Sequence, residues 1–103
     1  MKIRYTPEAK KDIVREQQYI RENFFDDDAA ERLGRSIVEN VSLLKEQPNM
    51  GRLLSERLGQ KTEIWYLPVK KRHIVFYRIS GEEIQIIRIL DTRTDYMKEM
   101  FDS

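Results

Sequence analysis

Glu63-Ile-Trp-Tyr-Leu-Pro-Val69, His73-Ile-Val-Phe-Tyr-Arg-Ile79 and Glu83-Ile-Gln-Ile-Ile-Arg-Ile-Leu90 are the three runs that decide the fold. Each is dense in β-branched and aromatic residues. The connections between them, Pro68 to Arg72 and Ser80-Gly81-Glu82, carry turn formers and charge, so two successive hairpins are predicted. The result is an antiparallel three-stranded meander. In the middle strand Val75, Tyr77 and Ile79 point one way and Ile74 and Phe76 the other; in the last, Ile84 and Ile86 oppose Ile87 and Ile89. Both faces are therefore apolar, and each needs a cover: helices on one, a terminal segment or a partner protein on the other.

At 103 residues the chain is expected to form a single domain, residues 1–103, with a modest core and little room for separate catalytic and regulatory modules. The net charge is only +1 although 36% of residues are charged, so arguments about partners rest on where the charges fall. There is no cysteine, and no apolar run approaches the roughly 18 residues of a membrane span. The start, Met1-Lys-Ile-Arg-Tyr-Thr-Pro7, lacks the apolar centre of a secretion signal. A cytoplasmic protein with no membrane partner is expected. A lone His73, with no Cys/His cluster or Glu-rich loop, gives no recognisable metal site and predicts no cofactor.

Upstream of the meander, Lys2 to Tyr5 alternates charged and apolar residues, which predicts a short strand at its edge. Thr6-Pro7-Glu8 supplies a helix N-cap, a proline for the first turn and an acid against the helix dipole. Ala9, Ile13, Ile20 and Phe24 follow at helical spacing with Val14 beside them, while Lys10, Lys11, Arg15, Glu16, Arg21 and Glu22 are assigned to the outer face. That helix is expected to end near Phe24 or Phe25. Asp26-Asp27-Asp28 reads as a start signal for a second helix, with Asp28 and Glu31 spaced as a capping box. Ala30, Leu33, Ile37, Val41 and Leu44 then repeat at three and four up to Pro48-Asn49-Met50-Gly51. The two helices form an αα-hairpin whose apolar stripe covers one sheet face. Arg52 to Lys61 reads as a polar connector with few fixed features. Asp91 to Tyr96 reads as a polar turn with Thr94 as a cap, and Tyr96, Met97, Met100 and Phe101 as a short helix docking on the sheet. The expected class is α+β.

This order of elements, together with Pro48-x-x-Gly51-Arg52, Tyr77-Arg78-Ile79 and the ending Ile89-Leu-Asp-Thr-Arg-Thr-Asp-Tyr96, resembles the RelE/ParE superfamily of bacterial toxins over nearly the whole chain. The resemblance implies the toxin half of a type II toxin-antitoxin pair, made beside a cognate antitoxin that binds and silences it. One branch of the superfamily cleaves messenger RNA on the ribosome; the other, typified by ParE, poisons DNA gyrase. Metal-free RNA cleavage needs a base for the 2′-hydroxyl, cations for the crowded phosphorane and an acid for the leaving oxygen. The nucleolytic members commonly carry cations where this chain has Ile64-Trp-Tyr-Leu67 and Ile74, and many have histidine where it has Asp91. The resemblance is therefore closer to the ParE-like branch, with the ribosome-dependent nuclease and a non-toxic interaction module as the alternatives.

If the chain is a nuclease, the groups available are His73, Asp91, Arg93 and Tyr96. His73, at the start of a strand, is also readable as an ordinary edge-facing histidine, and Asp91 as a local turn cap. If it inhibits by binding, Arg52, Arg57, Arg72, Arg88 and Arg93 are the target contacts and the surface an acidic antitoxin neutralises. Trp65 and Tyr66 are aromatic enough to stack on a base, or to divide between the core and a partner surface.

Overall fold

The computed structural model describes residues 1–59 and 61–101, with only the backbone at residue 58. The elements are β1 (Lys2–Tyr5), α1 (Pro7–Phe24), α2 (Asp27–Ser42), a 3-10 turn (Leu43–Lys45), β2 (Arg52–Leu53), α3 (Leu54–Leu58), β3 (Ile64–Val69), β4 (His73–Ser80), β5 (Glu83–Asp91) and α4 (Tyr96–Phe101). The strands form one sheet in the order β1-β5-β4-β3-β2. β1 runs parallel to β5, and every other pair is antiparallel. The expected class, α+β with an N-terminal strand, an αα-hairpin on a meander and a short C-terminal helix, is what the chain adopts. Among the described residues no helix is long and apolar enough to cross a membrane.

The two sheet faces carry separate cores. On the first, Ala9, Leu33, Ile37, Val41 and Leu44 of the helical side meet Leu67, Val69, Val75, Tyr77, Ile84, Ile86 and Ile89 of the sheet. On the second, Leu54 of α3 and Tyr96 and Met100 of α4 close over Ile64, Ile74, Phe76, Leu90, Tyr66 and Ile87. The connector expected to be featureless is thus ordered: Arg52 and Leu53 pair with Tyr66 and Trp65, and the next five residues make a helical turn that plugs the second face with Leu54. The chain supplies much of its own second cover through α3 and α4.

One face assignment differs from the alternation expected. Ile89 shares the first face with Ile84 and Ile86, and Ile87 alone of that set turns to the second. The cause is a bulge: Phe76 pairs with Arg88 but Tyr77 with Ile86, so Ile87 is an extra residue in β5 and the two-residue period is inverted beyond it.

The caps follow local chemistry. Thr6 Oγ1 accepts from Ala9 N–H at 3.1 Å and donates to Ile87 O at 2.8 Å, fixing the start of α1 to β5. Asp26, not Asp28, caps α2 through Ala29 N–H, leaving Asp27 and Asp28 as first-turn acids. Asp95, not Thr94, caps α4 by accepting from Lys98 N–H. Phe24 and Val14 are exposed instead of joining the core.

Phe25, just past the end of α1, is held left-handed at φ 52° and is 90% exposed. A β-carbon is unfavourable there. Phe25→Gly is therefore expected to stabilise the fold by about 1 kcal/mol, read as a rise of a few degrees in the thermal midpoint.

Candidate functional site

Past Tyr5, β1 no longer pairs with β5, and the exposed backbone of the last β5 residues needs other partners. Asp12 of α1 meets that need. Its side chain is nearly fully buried; Oδ2 accepts from Ile89 N–H at 2.9 Å and from Arg88 Nε at 2.8 Å, and Oδ1 from Arg88 Nη2 at 3.0 Å and Arg15 Nη2 at 2.8 Å. The hydrogen bond to Asp12 holds the Arg88 guanidinium above its ordinary value, outweighing the opposing effect of burial. Arg88 also lies 3.8 Å from Glu99 of α4, and its side chain is only 18% exposed. It ties α1, β5 and α4 together and is not presented as the outward target contact that the sequence led us to expect. Asp12 itself was missed by sequence reasoning.

At the end of the sheet next to the β3–β4 turn, His73 and Asp91 are direct cross-strand partners, and Glu16 of α1 comes down on them. His73 is buried in a central strand, not edge-facing; its Nε2 lies 3.7 Å from Glu16 and has no hydrogen-bond partner among the described residues. Asp91 behaves as a turn cap. Its Oδ1 accepts from Arg93 N–H at 2.8 Å and Nε at 3.1 Å, and its Oδ2 from Arg93 Nη2 at 2.9 Å. These contacts, the side-chain bond first, hold the Asp91 carboxyl below the usual range against the upward effect of burial, and they raise Arg93. Arg72 lies alongside, its carbonyl accepting from Thr92 N–H at 2.7 Å. A pocket of about 230 Å³ opens here, bordered by Tyr19, Lys70, Arg72, His73, Asp91 and Arg93 among others.

The depressed Asp91 carboxyl has a consequence for acid stability. A carboxyl lowered in the folded chain contributes fully above its unfolded value, about 3.9, and loses that contribution as the pH falls through the lower folded value. Asp91→Asn should therefore be less stable than the parent at pH 7, and the gap should close below about pH 4. Urea unfolding across pH 2–7 measures it.

On the second face the remaining candidates gather around Tyr66. Arg52 is its direct partner across β2–β3, and directly opposed residues share a face. The Arg57 guanidinium carbon lies 5.8 Å from the Tyr66 ring centre and 5.9 Å from that of Tyr96. Tyr96 packs on Phe76 at 5.7 Å, so it is a residue that covers the second-face core. Trp65 turns to the first face and stacks on Tyr77 at 6.1 Å. The five expected target arginines thus divide into two exposed pairs, Arg52 with Arg57 and Arg72 with Arg93, and one internal tie, Arg88. The four candidate nuclease groups are not brought together: His73, Asp91 and Arg93 converge, and Tyr96 lies on the second face.

A family model described as the ParE toxin of the type II toxin-antitoxin system, parDE, matches residues 3–96. Among solved structures, the chromosomal ParDE toxin-antitoxin system from P. aeruginosa is similar at 22% identity and a TM-score of 0.73, with 88% of this chain and 95% of that chain covered. A conserved hypothetical protein from Helicobacter pylori aligns at 16% identity and a TM-score of 0.45, over 89% of this chain and 94% of that one. No curated protein matches this chain in sequence. The likeness to the P. aeruginosa structure shows a shared fold, and the family match spans all the elements from β1 to the start of α4: the chain belongs to the ParE toxin family of type II toxin-antitoxin systems.

Proposed function

We propose that this toxin arrests growth by binding an essential target, DNA gyrase, and that a cognate antitoxin neutralises it. The observation that carries the binding mode is the fate of the ionisable groups a nuclease would use. His73 is buried against Glu16, Asp91 is held through both oxygens by Arg93, and Tyr96 is packed on Phe76. Arg52, Arg57, Arg72 and Arg93 meanwhile present guanidinium groups at the surface, the chemistry of charge-complementary binding, not of proton transfer. The same arginines suit neutralisation by an acidic antitoxin segment.

Exposed charges at an interface act mainly on association and act in a graded way. Arg72→Ala and Arg57→Ala are each expected to weaken growth inhibition several-fold without abolishing it, and the double variant more. Inducible expression with a DNA-damage reporter, beside a supercoiling assay on purified gyrase, tests the target. New 5′ ends in translated messages, found by primer extension and lost in His73→Ala with the fold retained, would replace this reading with a ribosome-dependent nuclease.

A further inference from the structure

We propose that Glu16, His73 and Asp91 form a binding site for a divalent transition-metal ion of the zinc type. The three come from α1, the start of β4 and the end of β5, separations along the chain that no short motif would reveal, yet one ligand atom of each lies within 4.8 Å of the other two. Bound to one zinc, such atoms sit roughly 3.4 Å apart, so closure takes side-chain shifts on the order of 1 Å.

A second observation is independent of this proximity. The His73 side chain is only 8% exposed, and its Nε2 has no hydrogen-bond partner among the described residues. Buried polar atoms are almost always satisfied, so an imidazole nitrogen that lacks a hydrogen-bond partner among the described residues and faces a carboxylate at 3.7 Å is a donor atom available to an ion. Glu16 is similarly sheltered, at 15% side-chain exposure, and the adjoining pocket gives access from solvent.

The donor set selects the ion. One imidazole with two carboxylates suits zinc, cobalt or nickel, whereas magnesium and calcium favour oxygen alone. Arg93 is the competitor: it already holds Asp91 through both oxygens, although Oδ2 takes only one of its contacts. Its side chain is 56% exposed, so it can swing into solvent as the ion arrives. This competition distinguishes the site from unspecific surface chelation, which removal of Arg93 would not strengthen.

The test uses the 103-residue chain without an affinity tag, titrated with zinc by calorimetry and with cobalt(II) by visible absorption. One ion per chain is expected, with a cobalt ligand-field band and a zinc-dependent rise in the thermal midpoint. Glu16→Gln should weaken binding at least tenfold and His73→Ala should remove the cobalt band, while Arg93→Ala should tighten binding several-fold. Glu16→Gln alters a side chain with no hydrogen bond to lose among the described residues, so it keeps the test decisive if His73→Ala does not fold. Absence of stoichiometric zinc heat and of a cobalt band in the parent, or binding undiminished in Glu16→Gln, overturns the proposal.

Discussion

Asp12→Ala is expected to cost about 3–5 kcal/mol, the usual penalty for removing one partner of a buried ion pair. Against the roughly 5–15 kcal/mol that holds a small domain together, this is a large share, and the thermal midpoint should fall by more than about 10 °C. The size follows from what is stranded. Ile89 N–H loses its acceptor at an edge where β1 no longer reaches, and Arg88 is left with Glu99 at 3.8 Å. Since 18% of the Arg88 side chain still touches solvent, it can recover part of its hydration, which places the effect toward the lower end of that range. Asp12→Asn keeps an acceptor oxygen for Ile89 and should cost less. Arg15→Ala removes a partner that is 59% exposed, and should cost under about 1 kcal/mol. Denaturant unfolding of the three variants checks the order; an Asp12→Ala protein that melts with the parent would show that the carboxylate does not hold the β5 edge.

The meander, the αα-hairpin and the docking of Tyr96 and Met100 were legible because burial leaves a periodic apolar mark on the chain. The ionic interior was not read, although its signal was present. At about 100° per residue around α1, Glu16 lies between Asp12 and Ala9, on the stripe that Ile13 and Ile20 continue. Counting residues three and four apart assigned Glu16 outward by its chemistry and passed over Asp12. A charge at the border of the apolar stripe on α1, Asp12, and another, Arg88, inside an apolar strand are opposite in sign, and that pairing was the available clue. The β5 bulge left no comparable trace: inserting Ile87 into a run already made of isoleucines changes the register without changing the composition. The turn of α3 was hidden for another reason, since five residues are too few to establish a helical period.

Gly51→Ala should be nearly as damaging, at about 2–4 kcal/mol, the sum of an overpacking cost and the loss of about one buried hydrogen bond. A β-carbon at Gly51 would lie 2.5 Å from the Tyr66 carbonyl oxygen and 2.7 Å from the Tyr77 hydroxyl. Neither neighbour yields easily. Tyr66 is backbone-paired in the sheet with Arg52, and Tyr77 is fully buried, its hydroxyl donating to Pro48 O at 2.8 Å and accepting from Gly51 N–H at 3.1 Å. The Pro48-x-x-Gly51 stretch is thereby pinned to the centre of the sheet, and β2 and α3, which carry Arg52 and Arg57, start from that anchor. Gly34→Ala is the contrast: its nearest obstacle, at 2.5 Å, is the end of the Gln17 side chain, which can move at the loss of its 3.0 Å hydrogen bond to Ala30 O, a cost that the gain of about 1 kcal/mol for alanine over glycine in a helix offsets. Tyr77→Phe leaves the Pro48 carbonyl and Gly51 N–H without their partner and should cost about 1–3 kcal/mol. It also removes the atom 2.7 Å away, so in a double-mutant cycle Gly51→Ala and Tyr77→Phe should together cost less than their sum. Strict additivity, or a Gly51→Ala protein as stable as the parent, would mean that the connector is not held by this contact. If it is, growth inhibition by Gly51→Ala should fall along with stability, because the anchor sets where Arg52 and Arg57 stand.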